Sequence, residues 1–194
     1  MDQVIRVIAL ALLPSGLWAA GGDHATPYAG FQDRAIKSLS DDDIAELRRG
    51  GGWGLALPAE LSGLPGPAHL LEMQDEIGLS EDQVARITVV YDGMKAEAIE
   101  AGEKFIAAEA ALSEAFAAKD MDPDSLRALL AASAEARAAL RFVHLSRHLM
   151  TPDVLSEDQI ATYQRLRGYA DDPCQAIPEG HDPDMWRRHN GCTK

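Results

Sequence analysis

The chain has 194 residues, with 18 Lys and Arg against 31 Asp and Glu, and therefore a formal net charge of −13. Nucleic acids and anionic membranes require clustered basic residues, so this acidic balance argues against both as partners. Aromatic residues make up only 6% of a chain rich in alanine, which favours closely packed helices over a β-sandwich. Nucleotide-binding, hydrolase and zinc-protease motifs are missing from the sequence. We therefore expect an all-α protein that is not an enzyme and has no catalytic residues.

Residues 1–20 predict an export signal. Arg6 and the apolar run from Val4 to Leu13 precede a group of small residues, and the run is too short to span a bilayer. A retained N-terminal anchor is the alternative interpretation. We expect the rest of the chain to be soluble and exported.

Residues 21–66 predict a spacer that contains one short helix and a loop rich in Gly and Pro. Ser40 fits the N-cap of that helix, with acidic residues in the first turn, and Gly50 and its neighbours end it. The stretch from Leu55 to Pro67 contains three prolines among apolar residues. This composition predicts an ordered loop that packs on a core.

Residues 67–168 predict a hooked antiparallel helical hairpin with short flanking helices, which end at Gly78 and Gly168. The first long helix places apolar residues at alternating spacings of three and four. This seam consists of Val84, Ile87, Tyr91, Met94, Ala98, Ala101, Phe105, Ala108, Leu112 and Ala115. The returning helix runs from Pro123 to about Met150. Its inward residues are Leu126, Leu129, Ser133, Ala136, Leu140 and Val143.

The seam of the first long helix is rich in alanine. Small side chains let two helices approach closely, but each buries little apolar area. A hairpin with two short helices therefore has a thin core, and we expect a second copy of the chain to cover it. The sequence thus predicts a homodimer.

Residues 169–194 form a C-terminal tail that contains both cysteines. In an oxidising compartment, Cys174 and Cys192 predict a disulfide. The alternative is a metal site that adds His181 and His189, although this spacing matches no standard zinc pattern.

Two pairs with helical i,i+4 spacing carry potential metal ligands, His69 with Met73 and His144 with His148. The antiparallel register set by the predicted turn brings Glu97 opposite His144. The first short helix must fold back toward the same end, because only a few residues join it to the long helix. Imidazole, thioether and carboxylate donors together suit Zn, Ni, Co or Cu rather than Ca or Mg. We therefore predict a transition-metal site formed by these five residues.

An alternative interpretation of the same residues needs no metal. His144 and His148 can act as cations near the C-terminus of their helix. Met73 fits a packing residue as well as a ligand. Both interpretations remain open from the sequence alone.

The segments Leu79–Gln83 and Leu155–Gln159 repeat the sequence LSEDQ. Each begins a helix, with Ser as the N-cap and Leu as a hydrophobic staple. The doublet resembles the LTxxQ pair of the periplasmic Spy/CpxP family, with Ser in place of Thr, and this family includes CnrX-type heavy-metal sensors. The resemblance covers residues 66–168. It implies a four-helix hooked hairpin that dimerises, with roles in envelope stress, chaperoning or metal sensing and resistance.

The resemblance leads to two functional expectations. The first is a periplasmic metal-binding protein of heavy-metal sensing or resistance, or of the envelope stress response, with a membrane signalling partner in the sensing role. CnrX-type sensors use a comparable His, Glu and Met set, with the two pairs in the opposite order along the chain. The second is an ATP-independent holdase that grips unfolded clients on a basic face, here Arg127, Arg137, Arg141 and Arg147. The acidic net charge favours the metal-binding interpretation.

Overall fold

The computed structural model describes residues 26–119, 121–170, 177, 182–189 and 192. These residues form helices and loops without a strand, so the protein is all-α, as the sequence predicts. The helices are α1 (Asp41–Arg48), α2 (Leu57–Glu60), α3 (Pro67–Glu72), α4 (Gln74–Ile77), α5 (Glu81–Ala118), α6 (Pro123–His148), α7 (Glu157–Leu166) and α8 (Pro183–His189). None of these described helices combines the length and apolar character needed to cross a membrane.

Several sequence predictions fall outside the described residues. They are the export signal in residues 1–20, Cys174 with its disulfide to Cys192, and His181; the side chain of His189 is also outside. These remain predictions.

Local sequence signals determine where the helices begin. Ser40, Ser80 and Ser156 each form a capping box with the residue three positions later, so each satisfies otherwise unpaired backbone N–H groups. Asp122 caps α6 through two backbone N–H groups, and Pro123 occupies the first helical position. The predicted helix starts are confirmed.

The two long helices α5 and α6 pack against each other. The buried residues of α5 include Ile87, Met94, Ala98, Ala101 and Phe105, and those of α6 include Ser133, Leu140 and Val143. Glu109 of α5 bonds Ser133 of α6, and Glu97 pairs with Arg147, contacts that fit antiparallel packing. The hooked form and the homodimer remain predictions.

The core continues into the segment that the sequence predicts as a spacer. Its contribution to the main cluster is Ile36, Leu39, Leu47 and Leu55. The chain passes so close to α5 that a Cβ on Gly102 would lie 2.9 Å from the carbonyl oxygen of Leu47. Large side chains from this segment fill space that the alanines of α5 leave, so the thin core of the two helices is covered within one chain on this side.

The loop between α1 and α2 is held by Trp53. Its backbone N–H donates to Glu46 Oε1 at 3.0 Å, and its indole Nε1 donates to Asp43 Oδ1 at 2.8 Å. The ring packs on Phe105, with centroids 5.6 Å apart. These contacts hold Trp53 at a positive φ of 44°, which a non-glycine residue rarely adopts. The loop is therefore ordered, and its residues line the candidate site.

The two LSEDQ repeats meet through their glutamines. Gln83 Nε2 donates to Gln159 Oε1 at 2.7 Å, and Gln159 Nε2 donates to Gln83 Oε1 at 3.0 Å. The two amides also donate to the carbonyls of Val154 and Gly78 and accept the N-cap N–H of their own helices. This amide clasp, Gln83 with Gln159, ties the start of α5 to the start of α7.

Candidate functional site

A pocket of about 290 Å³ lies where the α1–α2 loop, the start of α3, α5 and α6 meet. Three of the five residues predicted as metal ligands line it, namely His69, His144 and His148. Glu60 and Met94 line it as well. The pocket thus holds imidazole, carboxylate and thioether groups from four parts of the chain.

His144 presents a polar atom that lacks a partner. The residue is only 3% exposed, and its Nε2 is buried without a hydrogen-bond partner among the described residues. Burial lowers the pKa of His144, and the nearby His148 lowers it further, while Glu46 opposes the shift. The ring is therefore held in its neutral form, which is the form that binds metals.

His148 is oriented by the loop that covers it. Its Nδ1 lies 2.8 Å from the carbonyl oxygen of Leu64, which can only accept, so Nδ1 carries the proton and Nε2 keeps a lone pair in the neutral ring. A Cβ on Gly66 would stand 2.9 Å from that Nε2 and 3.6 Å from Glu60 Oε1. Glycine at position 66 therefore leaves open a space that the His148 nitrogen and the Glu60 carboxylate both border. His148 is the last residue of α6, and its ring contacts the carbonyl of Leu64 in the loop between α2 and α3.

His69 and Glu60 form the more accessible side of the pocket. His69 Nε2 lies 3.3 Å from Glu60 Oε1, and its Nδ1 lies 2.9 Å from Glu72 Oε2. The side chain of Glu60 is only 13% exposed, and its Oε2 accepts from Arg167 Nη2 at 3.3 Å and from Tyr169 Oη at 3.0 Å. Sequence reasoning missed Glu60, because the short helix α2 is a proline-interrupted run without the helical periodicity that would indicate a facing partner.

The glycines after α1 form part of the pocket wall. Gly50 has a φ of +73°, and a Cβ there would lie 2.9 Å from the carbonyl oxygen of Lys95 on α5. Both the backbone conformation and the close approach therefore require glycine at this position. Met94, 6% exposed and a member of the predicted seam, closes the same wall from α5.

Met73 does not reach the pocket. An unbroken helix would place it on the face of His69, but the helix breaks at Met73, where φ is −113° and ψ is 24°. Its side chain packs instead on the second core cluster with Leu70, Ile77 and Tyr163. The predicted pairing of Met73 with His69 is thus not formed in this structure.

Glu97 also lies away from the pocket. Its carboxylate pairs with Arg147 at 2.5 Å, and its side chain is 55% exposed. The antiparallel register does bring this part of α5 to α6, but the long side chain of Arg147, one turn beyond His144, takes the carboxylate. Glu60, rather than Glu97, is the acid that lines the pocket.

Among the described residues, no three His, Cys, Asp or Glu side chains already stand in an arrangement that could hold a metal ion. Comparison with protein-family models, with curated proteins and with solved structures finds no match. The resemblance to the Spy/CpxP family therefore rests on the LSEDQ doublet and the predicted helix order.

Proposed function

We propose that the histidine pocket binds a transition-metal ion and that the protein acts as a periplasmic metal-binding protein of heavy-metal sensing or resistance, or of the envelope stress response. The observation that carries this proposal is His144 Nε2, buried at a pocket with two further imidazoles and without a hydrogen-bond partner among the described residues. A buried polar atom without a partner is costly, and a bound cation would satisfy it.

The donors favour a borderline or soft divalent ion over Ca or Mg. Imidazole nitrogens from His69, His144 and His148 suit Zn, Ni, Co or Cu, and Glu60 and Met94 add a carboxylate and a thioether. Metal binding requires neutral imidazoles. The lowered pKa of His144 supports that state, and the bond from His148 Nδ1 to the carbonyl of Leu64 leaves Nε2 as the nitrogen of His148 that can bind a metal.

Closure of the proposed site depends on His69. His144 and His148 are buried, whereas the side chain of His69 is 30% exposed and is paired with Glu60 and Glu72. A metal ion would replace the proton on one ring nitrogen of His69 and draw the ring toward the buried pair. The exposed histidine is therefore the ligand that moves in this proposal.

Competition with a chromophoric chelator tests the proposal. The purified chain is titrated with Zn, Ni, Co and Cu, and we expect sub-micromolar affinity for at least one ion, as is usual for multi-histidine sites. The His144→Ala/His148→Ala variant should lose at least about tenfold in affinity, or about 1.4 kcal/mol. Glu97→Gln and Met73→Leu are matched controls outside the pocket and should bind like the parent. Equal affinity in all four proteins would refute the pocket as the site.

An ATP-independent holdase is the second candidate. The observation that favours it is the exposure of large apolar side chains on both long helices, with Val89 at 74% and Phe142 at 70%. Two of the four arginines in the expected basic face already pair within the chain, Arg127 with Asp124 and Arg147 with Glu97. Suppression of client aggregation at stoichiometric ratio in the presence of a chelator would support this candidate over metal binding.

A further inference from the structure

Glu60 stands between the histidine pocket and the end of α7. One carboxylate oxygen faces His69 Nε2 at 3.3 Å. The other accepts from Arg167 Nη2 at 3.3 Å and from Tyr169 Oη at 3.0 Å. Because the carboxylate is nearly buried, few water molecules can replace a partner that it loses. A displacement of the carboxylate toward His69 must therefore change its contacts with Arg167 and Tyr169.

The loop between α2 and α3, which follows Glu60 directly, contacts both sides. Toward the pocket, the carbonyls of Leu64 and Pro65 accept from His148 Nδ1 and Thr151 Oγ1. Toward α7, the carbonyl of Gly63 accepts from the Gln164 amide at 3.2 Å. The loop thus connects the two regions, and Glu60 is the charged residue at its start.

Helix α7 ends in a turn that is closed by backbone hydrogen bonds. The N–H of Gly168 donates to Arg165 O at 3.0 Å, and the N–H of Tyr169 donates to Gln164 O at 2.8 Å, with Gly168 at a φ of 70°. This is a Schellman motif. Gly168 and Ala170 are exposed, so the turn is attached to the rest of the protein through Arg167 and Tyr169. Both side chains contact Glu60, and Tyr169 also packs on the second core cluster.

We infer that Glu60 is a positioning residue that transmits occupancy of the histidine pocket to the end of α7, from which the cysteine-containing tail continues. A divalent ion bound at His69 attracts the Glu60 carboxylate and repels the guanidinium of Arg167. Both effects weaken the contacts at the second oxygen, and the turn at residues 167–170 loosens. This inference rests on the proposed metal binding.

Amide hydrogen exchange measures the effect directly. The full chain is compared with and without saturating Zn²⁺, while a chelator competition on the same sample reports binding. We expect the amides of Gly168, Tyr169 and Ala170 to exchange several-fold faster in the zinc-bound protein, because their bonds open with the turn. Amides in the middle of α5 should be unchanged.

Two variants separate the coupling from the binding. In Arg167→Gln, every pocket residue is kept and the ion pair with Glu60 is removed, so zinc should still bind, while exchange at residues 168–170 should be fast without zinc and respond little to it. Glu97→Gln breaks another pair of a carboxylate and an arginine, outside the pocket, and should keep the zinc response of the parent. Zinc binding without a change at residues 168–170 would overturn this inference alone. Absence of zinc binding would overturn both it and the proposed function.

Discussion

At the scale of single residues, the pocket is defined by what surrounds each imidazole. His144 is buried and neutral, His148 is fixed by Leu64, and His69 is balanced between two carboxylates. The three histidines are therefore not equivalent. We expect the buried pair to determine affinity, because it needs no rearrangement, and His69 to determine what metal binding changes elsewhere.

The buried ring of His144 predicts a pH dependence of stability. Its pKa is lowered in the folded chain from 6.5, so the unfolded chain binds the proton more readily. Above pH 6.5, the neutral ring does not lower the free energy of unfolding. As the pH falls below that value, the free energy of unfolding decreases by at most about 1.4 kcal/mol per pH unit on account of this residue. Urea unfolding at several pH values should show a smaller loss of stability on acidification in His144→Gln than in the parent. Identical pH slopes for the two proteins would contradict the assignment.

Gly66 makes a second prediction at this scale. A Cβ at this position would lie 2.8 Å from His148 Cε1, so Gly66→Ala must displace the ring or the loop. We expect a loss of about 1–3 kcal/mol in the free energy of unfolding and weaker metal binding. Gly52→Ala is the matched control, because Gly52 lines the same pocket and a Cβ there meets nothing within 4 Å. If both variants behave alike in urea unfolding, packing of Gly66 on the ring is unimportant.

At the scale of elements, the helices follow from signals that lie close together in the sequence. Capping serines, terminating glycines such as Gly78 and Gly168, and the three-and-four spacing of the seam are local, and each appears in the structure where the sequence predicts it. The short helix α2 was predicted only as an ordered loop, because a run interrupted by prolines carries no periodicity.

The candidate site was predictable only in part, for physical reasons. The i,i+4 spacing and the antiparallel register bring His144 and His148 to the open end of the long helices, and the short link brings His69 there. The pairing of Met73 with His69 is not formed, because the helix breaks at Met73 and the side chain packs on the second core cluster, which the local spacing does not indicate. The sequence does not indicate Glu60, because a contact between two short helices joined by a loop leaves no repeat in the sequence.

The amide clasp predicts coupling between α5 and α7. Gln83→Ala removes a capping box and both bonds between the Gln83 and Gln159 amides, so we expect a loss of about 2–4 kcal/mol in the free energy of unfolding. Gln159→Ala should cost a similar amount. The double variant should cost clearly less than the two single losses together, since both remove the same bonds. Additive losses in urea unfolding would show that the two helices are capped independently.

At the scale of the whole molecule, apolar surface remains uncovered. Phe142 and Leu149 are 70% and 68% exposed, and with Leu145 they share one side of α6 at spacings of three and four. The N-terminal segment covers another side of the long helices, and among the described residues this side of α6 is open to a partner. A second copy of the chain is the occupant that we propose.

Sedimentation velocity tests the proposed homodimer. We expect a dimer at low micromolar concentration that Phe142→Asp converts to monomer, because a buried carboxylate without a partner is costly. Val89→Asp is the control, since Val89 is equally exposed but lies on α5, away from that side of α6. A parent protein that sediments only as a monomer would contradict the dimer.

The predicted tail disulfide also concerns the whole molecule. It would join Cys174, outside the described residues, to Cys192 and confine the tail close to the turn at residues 167–170. Thiol labelling after denaturation without reductant should find no free thiols in the exported protein. Two reactive thiols per chain would contradict the disulfide and would favour the alternative in which the cysteines bind metal.

X-ray absorption at the zinc edge of the zinc-loaded full chain shows whether the histidine pocket binds the metal. We expect a shell of nitrogen and oxygen at about 2.0 Å with the scattering pattern of imidazole rings, which the His144→Ala/His148→Ala variant loses. A sulfur shell at about 2.3 Å that persists in that variant and is lost in Cys174→Ser/Cys192→Ser would place the metal on the tail cysteines and contradict the histidine pocket.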